Sequence, residues 1–267
     1  MAAVAMLAAT AIAERVPAAP VAVPVSGLRP TGCLWVRHFD GGCPLDAGAT
    51  SETRSADSPT GGRAVSRLTY LLSGMRLDFD DGTSAALSDP SGVGIHLFDP
   101  LETTPAPLPL PTSPALVRGL SFHIGPPPEL NHSDPARWPA GHPLNPLENN
   151  LHWGWRGGYV FLAAEGRSAP VGGMGAAFLF HLGHDRHRVA VTVPLPKTPR
   201  GPAAAGGYTL TAHVDRLWRG LTLAEGASAI HSTGDDPLAD KIAANLPAMF
   251  ELRAGPPEAK RLPEPAR

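Results

Sequence analysis

The stretch Ser66-Arg67-Leu68-Thr69-Tyr70-Leu71-Leu72-Ser73-Gly74-Met75-Arg76-Leu77-Asp78-Phe79 decides the fold class. Aliphatic and aromatic residues dominate it, and Asp80-Asp81-Gly82 closes it with turn residues, so it reads as a strand bent or bulged at Gly74. Shorter segments of the same kind lie on both sides. Cys33–Phe39 precedes it and runs into a Gly41-Gly42 turn. Gly94–Phe98 follows and is stopped by Asp99-Pro100. Beyond these come Leu116–Ile124, His152–Leu162, Ala176–Leu182, Arg188–Val193 and Tyr208–Val214. Helical spacing occurs only in Pro237–Phe250, through Leu238, Ile242, Leu246, Met249 and Phe250. The connections at 48–64, 103–114 and 126–150 are polar or proline-rich and read as loops. The expected fold is a single all-β domain, an antiparallel β-sandwich with long irregular loops and a short C-terminal helix.

Composition agrees. The 267 residues include 29 Gly and 31 Pro, nearly twice the usual share, which leaves little room for long helices. Hydrophobic residues make up 43%, enough for a sizeable core, so disorder of the whole chain is excluded. A net charge of −2 and a pI near 6.6 argue against broad nucleic-acid binding, which needs a basic surface.

Residues 1–13, MAAVAMLAATAIA, have the length of a signal-peptide apolar region and end in an A-x-A pattern, although no basic segment precedes them. The alternative is an alanine-rich cytosolic start. The expected organisation is a partial signal peptide at 1–13, a Pro/Ala-rich lead-in at 14–30, a β domain at 31–253 and a disordered tail at 254–267. Cys33 and Cys43 are the two cysteines. In an exported protein they would close a disulfide; in the cytosol they would stay reduced and could bind copper or zinc.

No G-x-S-x-G, phosphate-cradling glycine loop or H-E-x-x-H motif is present. No catalytic constellation stands out, and the chain is expected not to be an enzyme. The eleven histidines are the informative set. His38 and His96 lie within short strands, where an isolated histidine is usually a satisfied polar group. His181 ends an apolar strand beside Phe178 and Phe180, which suits an oriented metal ligand. His184 and His187 fall in a hairpin turn and read as solvated loop residues. Trp153, Trp155 and Tyr159 fall on one strand-like segment. Such a strip is normally core, and if exposed it would suit carbohydrate stacking, the alternative function.

The segments, taken in order, resemble the MbnP-like family of methanobactin-associated copper-binding proteins, over about 33–252. The pieces are His38-Phe39 with Gly42 and Pro44-Leu45; Leu68–Leu77; His96-Leu97-Phe98-Asp99; Leu120-Ser121-Phe122-His123-Ile124-Gly125; and Asn131-His132-Ser133-Asp134-Pro135. They continue with His152-Trp153-Gly154-Trp155-Arg156-Gly157-Gly158-Tyr159-Val160-Phe161, Phe180-His181-Leu182-Gly183, and Asn245-Leu246 with Phe250. The resemblance implies a periplasmic or secreted β-sandwich-like protein that holds copper, Cu(I) or Cu(II), through histidines. It maps the ligands to His38 and His96, with His181 as a third, and implies a di-haem cytochrome c peroxidase-like partner. Relatives add a tryptophan oxidised to kynurenine two residues before the first histidine. Here that position is Val36, and Trp35 lies one residue further away, on the opposite face of a regular strand. Asp40 and Asp99 are near enough in sequence to orient the ligands.

Overall fold

The Ser66–Phe79 run grows into β2 (Arg63–Phe79), a long strand that organises the larger of two sheets. In the computed structural model the described residues are 33–39, 63–99, 107–111, 113, 115–154, 157–168, 177–196, 207–221, 228–230 and 235–256. The two ends of β2 serve different neighbours. Residues 63–70 pair antiparallel with β7 (Val160–Ser168), and residues 72–79 with β6 (Val117–Ile124). Two short strands, β3 (Ser84–Ala86) and β4 (Ile95–Phe98), also pair with it. Beyond β7 come β8 (Ala177–Gly183) and β11 (Ser228–Ile230), and beyond β6 comes β9 (Val189–Pro194).

The irregularity expected at Gly74 is present. The register slips between Ser73 and Arg76, and the Gly74 N–H donates to the Gly94 carbonyl at 2.9 Å with Gly74 at φ +62°. One extra residue exchanges the two faces of a strand. Leu68, Tyr70 and Leu72 therefore point inward before the bulge, and Met75, Leu77 and Phe79 after it. Arg76 and Asp78 are left on the outside.

The smaller sheet runs β12 (Phe250–Ala254), β10 (Gly207–His213), β1 (Cys33–Phe39), β5 (Leu108–Pro109). The expectation of a purely antiparallel sandwich is corrected here: β1 lies parallel to β10, and β11 parallel to β8. A tight hairpin forces antiparallel pairing only between strands that are neighbours in sequence. β1 and β10 are far apart in the chain, so nothing local fixed their direction. The two sheets meet through aromatic rings: Tyr70 stacks on Phe98 at 5.6 Å and meets Phe250 at 6.3 Å, while Phe122 meets Phe250 edge-on at 5.0 Å. Trp218 closes the other end against Phe178 at 5.2 Å and Phe180 at 5.9 Å.

Three further expectations change. The segment 126–150 is a string of single helical turns, α1 (Pro128–Asn131), a 3₁₀ turn Pro135–Arg137 and α2 (Pro146–Asn149), not irregular loop. One-turn elements are too short to show a period, and side-chain caps from Asp134 and Asn145 hold the last two. The strand expected at His152–Leu162 begins only at Val160; His152 and Tyr159 meet in one isolated bridge across a loop. The C-terminal helix is shorter, α3 (Pro237–Asn245) followed by a 3₁₀ turn Leu246–Met249.

The signal peptide 1–13, the lead-in 14–30, Asp40, Cys43, Trp155 and the tail from 257 onward lie outside the described residues, and Cys33 is a free cysteine. The strand β12 carries one residue past the expected boundary at 253. Among the described residues no helix is long and apolar enough to cross a membrane.

Candidate metal centre

Paired residues of neighbouring strands project to the same face of a sheet, and this sorts the three candidate histidines. His96 on β4 lies opposite Leu72, in the row that carries Phe98 opposite Tyr70. This is the inner face, where Tyr70 meets Phe250 of the smaller sheet. His181 on β8 lies opposite Ala163, which lies opposite Thr69. Those positions belong to the other face. The structure thus sets His96 and His181 on opposite sides of the larger sheet, and one ion does not reach both. His38 sits on β1 opposite Ala212, in an unbroken parallel register from Cys33 to Phe39. Its side chain lies outside the described residues, as does that of Trp35. Val36, two before His38, is buried.

Hydrogen bonds then separate histidines that are already committed from those that are not. His142 Nδ1 accepts the Leu144 N–H at 3.0 Å, and His152 Nδ1 accepts the Gly154 N–H at 3.0 Å. A ring nitrogen that accepts a backbone N–H carries no proton, so the neutral ring holds its proton on Nε2 and offers no lone pair there. His142 also stacks on Trp138 at 4.2 Å, and His152 packs edge-on to Tyr159 at 4.7 Å. His132 binds Asp185 at 2.8 Å and His213 binds Glu251 at 3.0 Å. His184 is exposed, as its turn position suggested. His187 corrects the expectation of a solvated loop residue. Its ring is buried, Nδ1 donates to the Gly183 carbonyl at 3.0 Å, and Nε2 contacts Asp240 at 2.9 Å, tying the 183–188 turn to α3.

His181 is held by a carboxylate. Its Nε2 donates to Glu165 Oε1 at 2.8 Å, the same oxygen accepts from Arg67 at 2.7 Å, and Arg67 donates to the Asn149 carbonyl at 2.9 Å. Burial opposes the charge on Glu165, but the bonds from His181 and Arg67 outweigh it and hold the carboxyl below its usual range. Trp153 lies beside this group, its ring 6.4 Å from that of His181.

His96 differs from all of these. The residue is 8% exposed, stacks on Phe98 at 6.4 Å, and neither ring nitrogen bonds a described residue. Burial lowers its proton affinity, only partly countered by the charge of Asp89, so the ring is neutral at neutral pH. A neutral, desolvated imidazole with no competing bond is the chemistry of a soft-metal ligand. Asp89 caps the turn that enters β4, accepting from Ser91 N–H at 2.9 Å and from the Gly94 N–H. Among the described residues no three His, Cys, Asp or Glu side chains converge as a metal cage.

The carbohydrate alternative loses one of its three rings. Tyr159 is fully buried and donates its hydroxyl to the Leu144 carbonyl at 2.6 Å, so it offers no face to a sugar.

The committed histidines make the 138–154 segment acid-sensitive. Burial lowers the proton affinity of both His142 and His152. With folded-state pKa values below the ordinary ~6.5, the unfolded chain binds more protons, so their stabilising contribution is lost as pH falls below about 6.5. Protonating Nδ1 also turns the acceptor into a donor facing another donor. Amide exchange at Leu144 and Gly154 should quicken, after correction for intrinsic rates, between pH 7.5 and 5; unchanged protection would count against it.

The family model described as MbnP matches residues 36–232 of this chain. Among solved structures, MbnP from Methylosinus trichosporium is similar at 15% identity and a TM-score of 0.53, covering 84% of this chain and 98% of that one. At that identity the likeness speaks for the fold. No curated protein matches the chain significantly.

Proposed function

The chain belongs to the MbnP family, and from that premise we propose that it is an exported, periplasmic protein that binds copper without turnover of its own. The observation that carries the proposal is His96: buried, neutral and without a hydrogen bond among the described residues. Two imidazoles suffice for Cu(I), which accepts low coordination. His38 is the second ligand in this reading. It belongs to the smaller sheet and His96 to the inner face of the larger one, so copper would be held between the layers. His181, on the outer face, stands outside this pair. The di-haem cytochrome c peroxidase-like partner belongs to the same reading and rests on the family resemblance alone. A tryptophan oxidised to kynurenine is not part of this reading, because Val36 stands where the relatives carry it.

The test of the copper reading is competition for Cu(I) against a coloured chelator. Loss of an outer-shell partner costs a metal site about 10–100-fold in affinity, so loss of a ligand should cost about a hundredfold or more. His96→Ala and His38→Ala should each show that loss with the melting transition retained. His181→Ala should leave Cu(I) affinity within a few-fold of wild type. Equal copper retention in all three variants would overturn the assignment.

A further inference from the structure

Two arginines and a histidine gather on the outer face of the larger sheet, away from the proposed copper position. The bulge at Gly74 turns Arg76 to the same side as Ser73, and the register sets Ser73 beside His123 and Arg76 beside Ser121. Arg188, immediately before β9, enters the same row and donates from Nη2 to Ser73 Oγ at 3.3 Å. Among the described residues none of the three makes an ion pair, and the Arg188 Nε–H is buried with no acceptor. A buried guanidinium donor without an acceptor carries a desolvation cost that nothing among the described residues offsets.

The carboxylates nearby are engaged or distant. Asp78, on the same face, accepts the Ser121 hydroxyl. Asp185 is bonded by Asn131 at 2.7 Å and His132 at 2.8 Å, and with Glu129 it acts on Arg188 only through its longer-range field. Burial and then the charges of Arg188 and Arg76 lower the proton affinity of His123. The three groups therefore crowd one another with no counter-charge in place.

We propose that Arg76, His123 and Arg188 form a binding site for an oxyanion, a carboxylate or a phosphate group. Guanidinium groups match the planar or tetrahedral oxygens of such ligands, and charge-assisted bonds to them are the strong ones. The anion pairs with the Arg188 guanidinium, offsetting its charge, and bridges to Arg76. It also favours protonated His123, so binding tightens as pH falls through the histidine range. The site shares no residue with the copper pair, so its failure and that of the copper reading are separately visible.

The experiment follows the His123 imidazole signals by NMR in the full-length protein, at constant ionic strength. Inorganic phosphate in one arm and acetate in the other replace chloride. A saturable shift with a raised His123 pKa in either arm is the expected result, and the stronger arm identifies the oxyanion class. Arg76→Gln, at an exposed position that leaves the core untouched, should weaken that binding about tenfold, since charge-assisted bonds are about twice as strong as neutral ones. The His132 signals serve as the control for an intact fold. A response no different from chloride, or an unchanged affinity in Arg76→Gln, would overturn the proposal.

Discussion

Tyr70→Ala should unfold most of the molecule's margin of stability, costing about 4 kcal/mol, the range for an aromatic side chain removed from a core. Tyr70 is fully buried at the point where the two sheets meet. Its ring stacks on Phe98 and touches Phe250, so its removal empties the inter-sheet layer from both sides at once. The residues around it belong to long-range strands and cannot collapse into the space without breaking ladder bonds. For a domain of this size about 4 kcal/mol lowers the melting temperature by about 8–16 °C. Tyr70→Phe keeps the ring and should cost no more than about 1.5 kcal/mol, the scale of one hydrogen bond. Thermal unfolding followed by circular dichroism separates the two. Similar melting temperatures for the two variants would mean that the ring does not hold the sheets together.

The strands of the larger sheet were legible because each carries its own signal. β6, β8 and β9 alternate inward hydrophobic residues with outward ones, β2 is a long apolar run buried throughout 68–73, and the bulge was readable from a single glycine in that run. What stayed hidden was relational. Parallel pairing of β1 with β10 depends on residues that are far apart in the chain, and no local pattern encodes direction. The single-turn helices of 126–150 were hidden because a period needs more than one repeat to be seen. The loop at 152–159 was misread because its tryptophans and tyrosine have strand propensity, while the chain's course there is set by tertiary contacts such as the Tyr159 hydroxyl on Leu144.

The proposed site was read from resemblance and less from residue chemistry. His96 looks, in sequence, like any strand histidine. Its distinguishing property, burial without a bond, exists only once β4 is laid against β2. His187 shows the converse: its turn sequence suggested solvent, yet Asp240, fifty-three residues on, closes over it. His123 and Arg76 both stood within recognised segments, but their gathering with Arg188 depends on the parity change at the bulge. A Gly in a long apolar strand, followed by an arginine at an apparently inward position, was the available clue.

Gly207→Val should be the most damaging single substitution in the smaller sheet, and it tests how β1 is held. Gly207 begins β10 opposite Cys33, with φ at +105°, a region that side-chain-bearing residues rarely adopt. A Cβ there would lie 2.0 Å from the Cys33 carbonyl oxygen and 2.6 Å from its nitrogen. Both obstacles are backbone, so no side-chain rotation relieves them; β1 must move away. Among the described residues β1 pairs only with β10 and with two residues of β5, so separation at Cys33 loosens the strand that carries His38. The expected loss exceeds about 3 kcal/mol, or β1 detaches while the larger sheet stays folded; strain at such a φ alone costs about 1–3 kcal/mol. Gly220→Val is the control, because Gly220 also has positive φ, +66°, but nothing lies within 4 Å of its Cβ position. It should show the backbone strain without the collision. Hydrogen exchange over residues 33–39 should quicken sharply in Gly207→Val and stay near wild type in Gly220→Val. Cu(I) affinity should fall only in the former if His38 is a ligand. A Gly207→Val protein with protected β1 amides would show that parallel pairing with β10 does not depend on close approach at Cys33. Protein with exposed β1 amides and undiminished copper binding would remove His38 from the centre.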